Sequence, residues 1–130
     1  MISKFSDLLE MAQSQDQPQR LLMLFALAEG GSSNPKKQRK KQHGTIAPVM
    51  CVDKLPEEVG SFAELVAEAD QISRDWNFVI IAGLSGENGV APTTEDADPY
   101  LNQMANGLTM GEDLSRYLIF DREENPIVMQ

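Results

Sequence analysis

The residues best placed to do chemistry lie in one stretch, Trp76–Gly89, which reads WNFVIIAGLSGENG. An apolar run, Phe78–Ala82, empties into a loop with glycines at 83, 86 and 89. A strand that ends in a glycine-rich turn ahead of a helix aims backbone N–H groups at an anion. That layout makes Gly83, Ser85, Gly86, Asn88 and Gly89 the candidate binding residues for a nucleotide or phosphate. The spacing G-x-x-G-x-x-G, however, is neither the dinucleotide pattern G-x-G-x-x-G nor the P-loop, which carries a lysine after its last glycine. Glu87, Glu95, Asp96 and Asp98 would also repel a phosphate. The competing reading is a flexible connector that carries the chain from the sheet to the next helix.

Other chemistry is harder to assemble. Ser85 lies in GLSGE, where the second glycine comes one position too early for the nucleophile elbow G-x-S-x-G. The single histidine, His43, sits in a polar segment, whereas a Ser–His–Asp triad needs a histidine held by its carboxylate. Cys51 beside Asp53 could be a reactive thiol, but within TIAPVMCV it reads as a small buried hydrophobe. One histidine and one cysteine without paired spacing make no zinc site, and no cofactor is expected. Glu57–Glu58 and Glu123–Glu124 read as solvated turn residues. Glu95, Asp96 and Asp98 are placed to complement a helix N-terminus.

The sharpest compositional feature is KKQRKKQH. Lys36, Lys37, Arg39, Lys40 and Lys41 are five cations in six positions, enough to neutralise several phosphates of RNA or DNA or to dock on an acidic protein. No aromatic residue interleaves them, so they offer no stacking platform for bases. They are candidate contacts for a partner or a nucleic acid, and a solvated insertion is the alternative.

The elements that must position these residues follow from periodicity. Phe5, Leu8, Leu9 and Ala12 recur at helical spacing, with Ser3 as N-cap. Residues 20–29, RLLMLFALAE, are continuously apolar from Leu21 to Ala28. Their composition leans helical, but Pro18 and Gly30–Gly31 bound a strand-like length, so a strand buried on both faces is expected. Residues 30–44 have no apolar side chain except Pro35 and read as a mobile loop. Thr45–Val52 is a second strand, with Pro48 near its start or on an edge. After a turn at 53–60, Ser61 caps a helix over 61–70 with Glu64 at capping-box spacing; its apolar face is Phe62, Leu65, Val66, Ala69 and Ile72. The third strand runs from Trp76 or Asn77 to Gly83, and strand–helix–strand over 46–83 predicts a right-handed parallel crossover. Asp98 as N-cap with Pro99 at the first position opens a helix with the stripe Tyr100, Leu101, Met104 and Leu108. Residues 116–121 and 126–130 are short strands joined by a hairpin loop.

Composition sets the outer bounds. The chain has 130 residues, 42% hydrophobic and 24% charged, with net charge −9. Removing the five cations between Lys36 and Lys41 leaves −14 on the remainder, a charge that repels nucleic acid and anionic membrane. No apolar run approaches the roughly 20 residues of a membrane span. With one cysteine and no signal-peptide layout, a cytoplasmic protein without disulfides is expected.

The segments MISKFSDLLEMAQ, RLLMLFALAE, APVMCVDKLPEEVGSFAELV, WNFVIIAGLSG and YLIFDREENPIVMQ are similar to a small proteobacterial family of uncharacterised proteins. Its members often carry the label ribonucleotide reductase subunit alpha. The resemblance spans most of the chain outside 30–44, whose basic content departs from the family. The label implies a large barrel enzyme with a thiyl cysteine and a reducing cysteine pair, which one cysteine cannot supply. APVMCVD followed by a turn and SFAELV also resembles the N-terminal domain of SseB-type proteins, which implies an α/β domain active in protein interactions.

Together these features predict one mixed α/β domain over residues 1–130, with a central mixed sheet of about five strands and three helices. The expected function is a non-catalytic cytoplasmic interaction module. A small-ligand site at Gly83–Gly89 and nucleic-acid contact through Lys36–Lys41 are the competing expectations. The expected partner is a protein, and a second copy of the chain is among the candidates.

Overall fold

A computed structural model of the chain describes residues 4–29, 45–110 and 117–127. The elements are α1 (Phe5–Gln13), β1 (Gln19–Glu29), β2 (Thr45–Lys54), α2 (Pro56–Val59), α3 (Phe62–Ile72), β3 (Phe78–Ser85), α4 (Thr94–Thr109) and β4 (Leu118–Asp121). The expected loop at 30–44, with His43 and the five cations from Lys36 to Lys41, lies outside the described residues, as does the expected cap Ser3. The described part of α1 is entered from Lys4, whose N–H donates to the Asp7 carboxylate at 3.2 Å.

β1 is a strand, and its alternation explains why a helix-leaning composition gives one. Leu21, Met23 and Phe25 enter one core with α1, α2 and α3, while Leu22, Leu24 and Ala26 enter a second core beneath α4. A strand sandwiched between two helical layers must be apolar on both faces, and this tertiary demand overrides intrinsic propensity. β3 divides the same way, Val79 and Ile81 to the first core and Ile80 to the second.

The sheet order is β2-β1-β3-β4, and every neighbouring pair is antiparallel. This corrects the expected mixed sheet. β2 and β3 do run in the same direction, as the strand–helix–strand order requires, but β1 is inserted between them. Sequence order cannot reveal that insertion, because β1 precedes both strands. Four strands and four helices stand among the described residues, against about five and three expected. The extra helix, α2, is a single turn within the expected 53–60 turn. The expected last strand enters the described residues only through its first positions: Pro126 bridges to Phe120, and the Ile127 N–H donates to the Ile119 carbonyl at 2.8 Å.

Three further corrections concern helix faces and caps. Ile72, the last residue of α3, is 67% exposed, so the buried face of the helix is Phe62, Leu65 and Ala69. Tyr100 is 49% exposed, so the inward stripe of α4 is Ala97, Leu101, Met104 and Leu108. Thr93, not Asp98, caps α4: the Asp96 N–H donates to Thr93 Oγ1 at 3.1 Å and the Thr93 N–H to Asp96 Oδ2 at 3.0 Å. Pro99 therefore lies inside the helix. The reciprocal capping box and the complete burial of Ala97 outweigh the single hydrogen bond that Pro99 removes.

Candidate functional site

The end of β3 and the start of α4 enclose a cleft of about 380 Å³ lined by Leu84, Ser85, Gly86, Glu87, Val90, Ala91, Pro92, Asp96 and Tyr100. Its outer wall is a tight hairpin. The Glu87 N–H donates to the Val90 carbonyl at 3.1 Å and the Val90 N–H to the Glu87 carbonyl at 2.9 Å. Asn88 and Gly89, at the tip, have φ of 53° and 77°. Positive φ at both central residues is the signature of a type I′ turn, for which Asn-Gly is the preferred pair. A Cβ on Gly86 would overlap the Val90 carbonyl oxygen, so the close return of the hairpin requires glycine there. The connector is thus ordered by its own turn chemistry, and the Asn-Gly pair was its signal in the sequence.

The hairpin is fastened to residues 17–19, which lead into β1. The Gly86 N–H donates to the Pro18 carbonyl and the Gly89 N–H to Gln17 Oε1, each at 2.8 Å. Ser85 Oγ accepts from Gln19 Nε2 at 2.7 Å. The N–H groups of Gly86, Glu87, Gly89 and Val90 are thereby engaged within the chain. Gly83 lies in the β1–β3 ladder opposite Leu21, with Gln19 over it. Of the expected binding residues, Ser85 and Gly86 line the cleft, Asn88 and Gly89 form the hairpin tip, and Gly83 stands back in the ladder.

A half-buried cation holds the opposite wall, and its pairing was not visible in the sequence. Arg20 Nη1 donates to Asp53 Oδ2 at 2.7 Å, Arg20 Nε donates to the Pro92 carbonyl at 2.7 Å, and Thr94 Oγ1 donates to the same Asp53 oxygen at 2.8 Å. One guanidinium therefore ties β1, β2 and the entry to α4. Nothing local marks Arg20 for this task, because its partners are 33 and 72 residues away. With Arg20 turned to Asp53, the charged side chains lining the cleft are Glu87 and Asp96, both acidic. The Leu84, Val90, Ala91, Pro92 and Tyr100 side chains supply apolar surface between them, and Val90 is 67% exposed.

The remaining chemical candidates are dispersed. Cys51 is exposed on β2, against the expected burial, because β2 is the outer strand and the alternation that carries Val52 inward turns Cys51 outward. Partial desolvation pushes its thiol pKa up, which disfavours the nucleophilic thiolate. Two of the expected solvated turn acids accept backbone hydrogen bonds. Glu58 Oε1 accepts from the Leu55 N–H at 2.8 Å, and Glu124 Oε2 accepts from the Phe5 N–H at 2.8 Å, pinning the start of α1 to the β4 turn.

A second polar cluster lies on the first-core side of the sheet. Arg122 Nη2 meets Asp70 Oδ2 at 2.7 Å, Arg122 Nη1 donates to the Trp76 carbonyl at 3.1 Å, and Trp76 Nε1 donates to Asp70 Oδ1 at 3.1 Å. The guanidinium carbon also stands 4.2 Å above the Trp76 ring. Burial works to raise the Asp70 pKa, but the hydrogen bond and charge of Arg122, with Trp76 and Arg74, outweigh it and hold the carboxyl below its ordinary value. Both terminal nitrogens of Arg122 and the Trp76 indole N–H have partners within the fold, so this is a structural clamp.

Among the described residues, no group of three His, Cys, Asp or Glu is arranged to hold a metal ion, and no helix is long and apolar enough to cross a membrane. No protein-family model, curated protein or solved structure matches the chain.

Proposed function

We propose that this chain is a non-catalytic interaction module, acting in the cytoplasm, that seats a segment of a protein partner in the cleft between the Asn88–Gly89 hairpin and α4. The observation that carries this reading is the composition of the lining: exposed Val90 and half-exposed Tyr100 beside Glu87 and Asp96, with no basic residue among them. Amphipathic tyrosine and small apolar groups favour a peptide segment, and two carboxylates favour a cationic one over a nucleotide or phosphate. The engagement of the Gly86 and Gly89 N–H groups by Pro18 and Gln17 points the same way, since an anion would have to displace those contacts. The resemblance of APVMCVD and SFAELV to SseB-type N-terminal domains implies a role of the same kind.

Selection of a random peptide library against the purified protein tests this. Enriched peptides are expected to carry Lys or Arg beside an apolar residue, and Tyr100→Ala should weaken them about tenfold, the loss of one well-packed aromatic contact. Nucleotides and phosphate should leave the melting temperature unchanged. Turnover of an ester or phosphoester that Ser85→Ala abolishes would overturn the reading.

A further inference from the structure

The charge of this chain is divided in an unusual way. One run of six residues holds five of its eleven cations, and everything else sums to −14. The cleft is an acidic, partly apolar recess on that acidic body. The complementary charge therefore exists within the same sequence, and the question is whether it can reach.

The fold answers for a single molecule. The cleft lies where β1 begins, since Gln19 pairs with Ser85 and Arg20 with Leu84. The segment that carries the cations joins the other end of β1 to β2, where Glu29 pairs with Thr45. β1 has 11 residues and spans about 33 Å at roughly 3.3 Å per residue. Lys37 is eight residues from each anchor, so its backbone reaches at most about 28 Å when fully extended, and the other four cations reach less. The run as a whole cannot lie across its own cleft. A second molecule turned end for end has no such limit, and the same rotation sets the run of each copy opposite the cleft of the other.

We propose, resting on the reading of the cleft as a peptide-binding site, that its occupant is the Lys36–Lys41 run of a second copy, so that the chain self-associates by reciprocal exchange of this segment. Two equivalent contacts in one dimer make the association cooperative, because the first contact holds the second pair at high effective concentration. Charge dominates each contact, so salt governs the equilibrium.

Sedimentation of the intact chain at about 20 mM and about 500 mM NaCl tests this, because the screening length falls from roughly 20 Å to under 5 Å between them. A dimer at low salt and a monomer at high salt are expected. Glu87→Lys, at an exposed side chain of the cleft, should weaken the low-salt dimer at least tenfold while leaving the melting temperature of the high-salt monomer unchanged, and Tyr100→Ala should weaken the dimer as well. Replacing all five cations by alanine should do the same. Mixing the Glu87→Lys chain with the five-alanine chain should restore a heterodimer of intermediate strength, since one of the two contacts is then intact. A monomer at low salt and millimolar concentration would overturn the proposal. So would a dimer indifferent to Glu87→Lys, or one in which the five cations can be removed without effect. A labelled peptide of residues 34–43 separates this proposal from the one beneath it. If library-selected peptides bind the cleft and peptide 34–43 does not, self-association fails while the interaction module stands. Binding of the run to an oligonucleotide, with no effect of Glu87→Lys on association, would assign it to nucleic acid instead.

Discussion

At the scale of single residues, the hairpin glycines differ in what they require. Gly86 is needed for space, because a side chain there meets the Val90 backbone, whereas Gly89 is needed for its φ of 77° with open space around it. Gly89→Ala should therefore cost about 1 kcal/mol, the ordinary penalty for a left-handed non-glycine residue. Gly86→Ala should cost more, roughly 2–3 kcal/mol, because the hairpin must open. Urea denaturation of both variants gives the comparison, and equal losses would contradict this account. Asp70 supplies a pH dependence. Its carboxyl titrates lower in the folded chain than in the unfolded one, so the clamp with Arg122 and Trp76 stabilises at pH values above about 4 and is lost as the pH falls through the folded-state value. Asp121 behaves alike. Burial would raise its pKa, but bonds from the Asn125 backbone and side chain and the Glu123 N–H lower it. The difference in urea midpoint between wild type and Asp70→Asn should be largest at neutral pH and should shrink as the pH falls below about 4 and Asp70 begins to protonate.

At the scale of elements, α4 shows how two acceptable helix starts compete. Asp98 with Pro99 and Thr93 with Asp96 are each good N-terminal signals. The earlier start prevails because it adds a turn that buries Ala97 over the second core and joins Thr94 to the Arg20–Asp53 pair. Thr93→Ala should accordingly destabilise by about 1 kcal/mol, the usual worth of an N-cap, while Asp98→Ala should change stability by less than about 0.5 kcal/mol. Thermal melts distinguish the two, and the reverse order would place the functional cap at Asp98. β1 illustrates the opposite relation, in which length and punctuation were legible and intrinsic propensity misled. Pro18 and the paired glycines bounded a strand, and the uninterrupted apolar run announced that both faces would be covered.

At the scale of the whole molecule, the sheet separates two cores that share the central strands. Phe25 is fully buried in the first and meets the Trp76 ring edge-on, with centroids 4.9 Å apart. Phe25→Ala should cost about 3–5 kcal/mol, a large share of the roughly 5–15 kcal/mol typical of a domain. A urea midpoint within experimental error of wild type would contradict this packing. What the sequence by itself determined was local: the apolar strands, the capped α3, the hairpin after Asp121, the Asn88–Gly89 turn and the isolated block of positive charge. Each is written in residues a few positions apart, where periodicity, capping and turn chemistry act. Only the tertiary structure decided that β1 is inserted between β2 and β3, that Cys51 faces outward, and that Arg20 reaches Asp53 and Pro92. It alone set the acidic cleft at the end of β1 opposite to the Glu29–Thr45 pair. Those outcomes depend on strand order and on contacts between distant residues, and spacing along the chain carries no record of either.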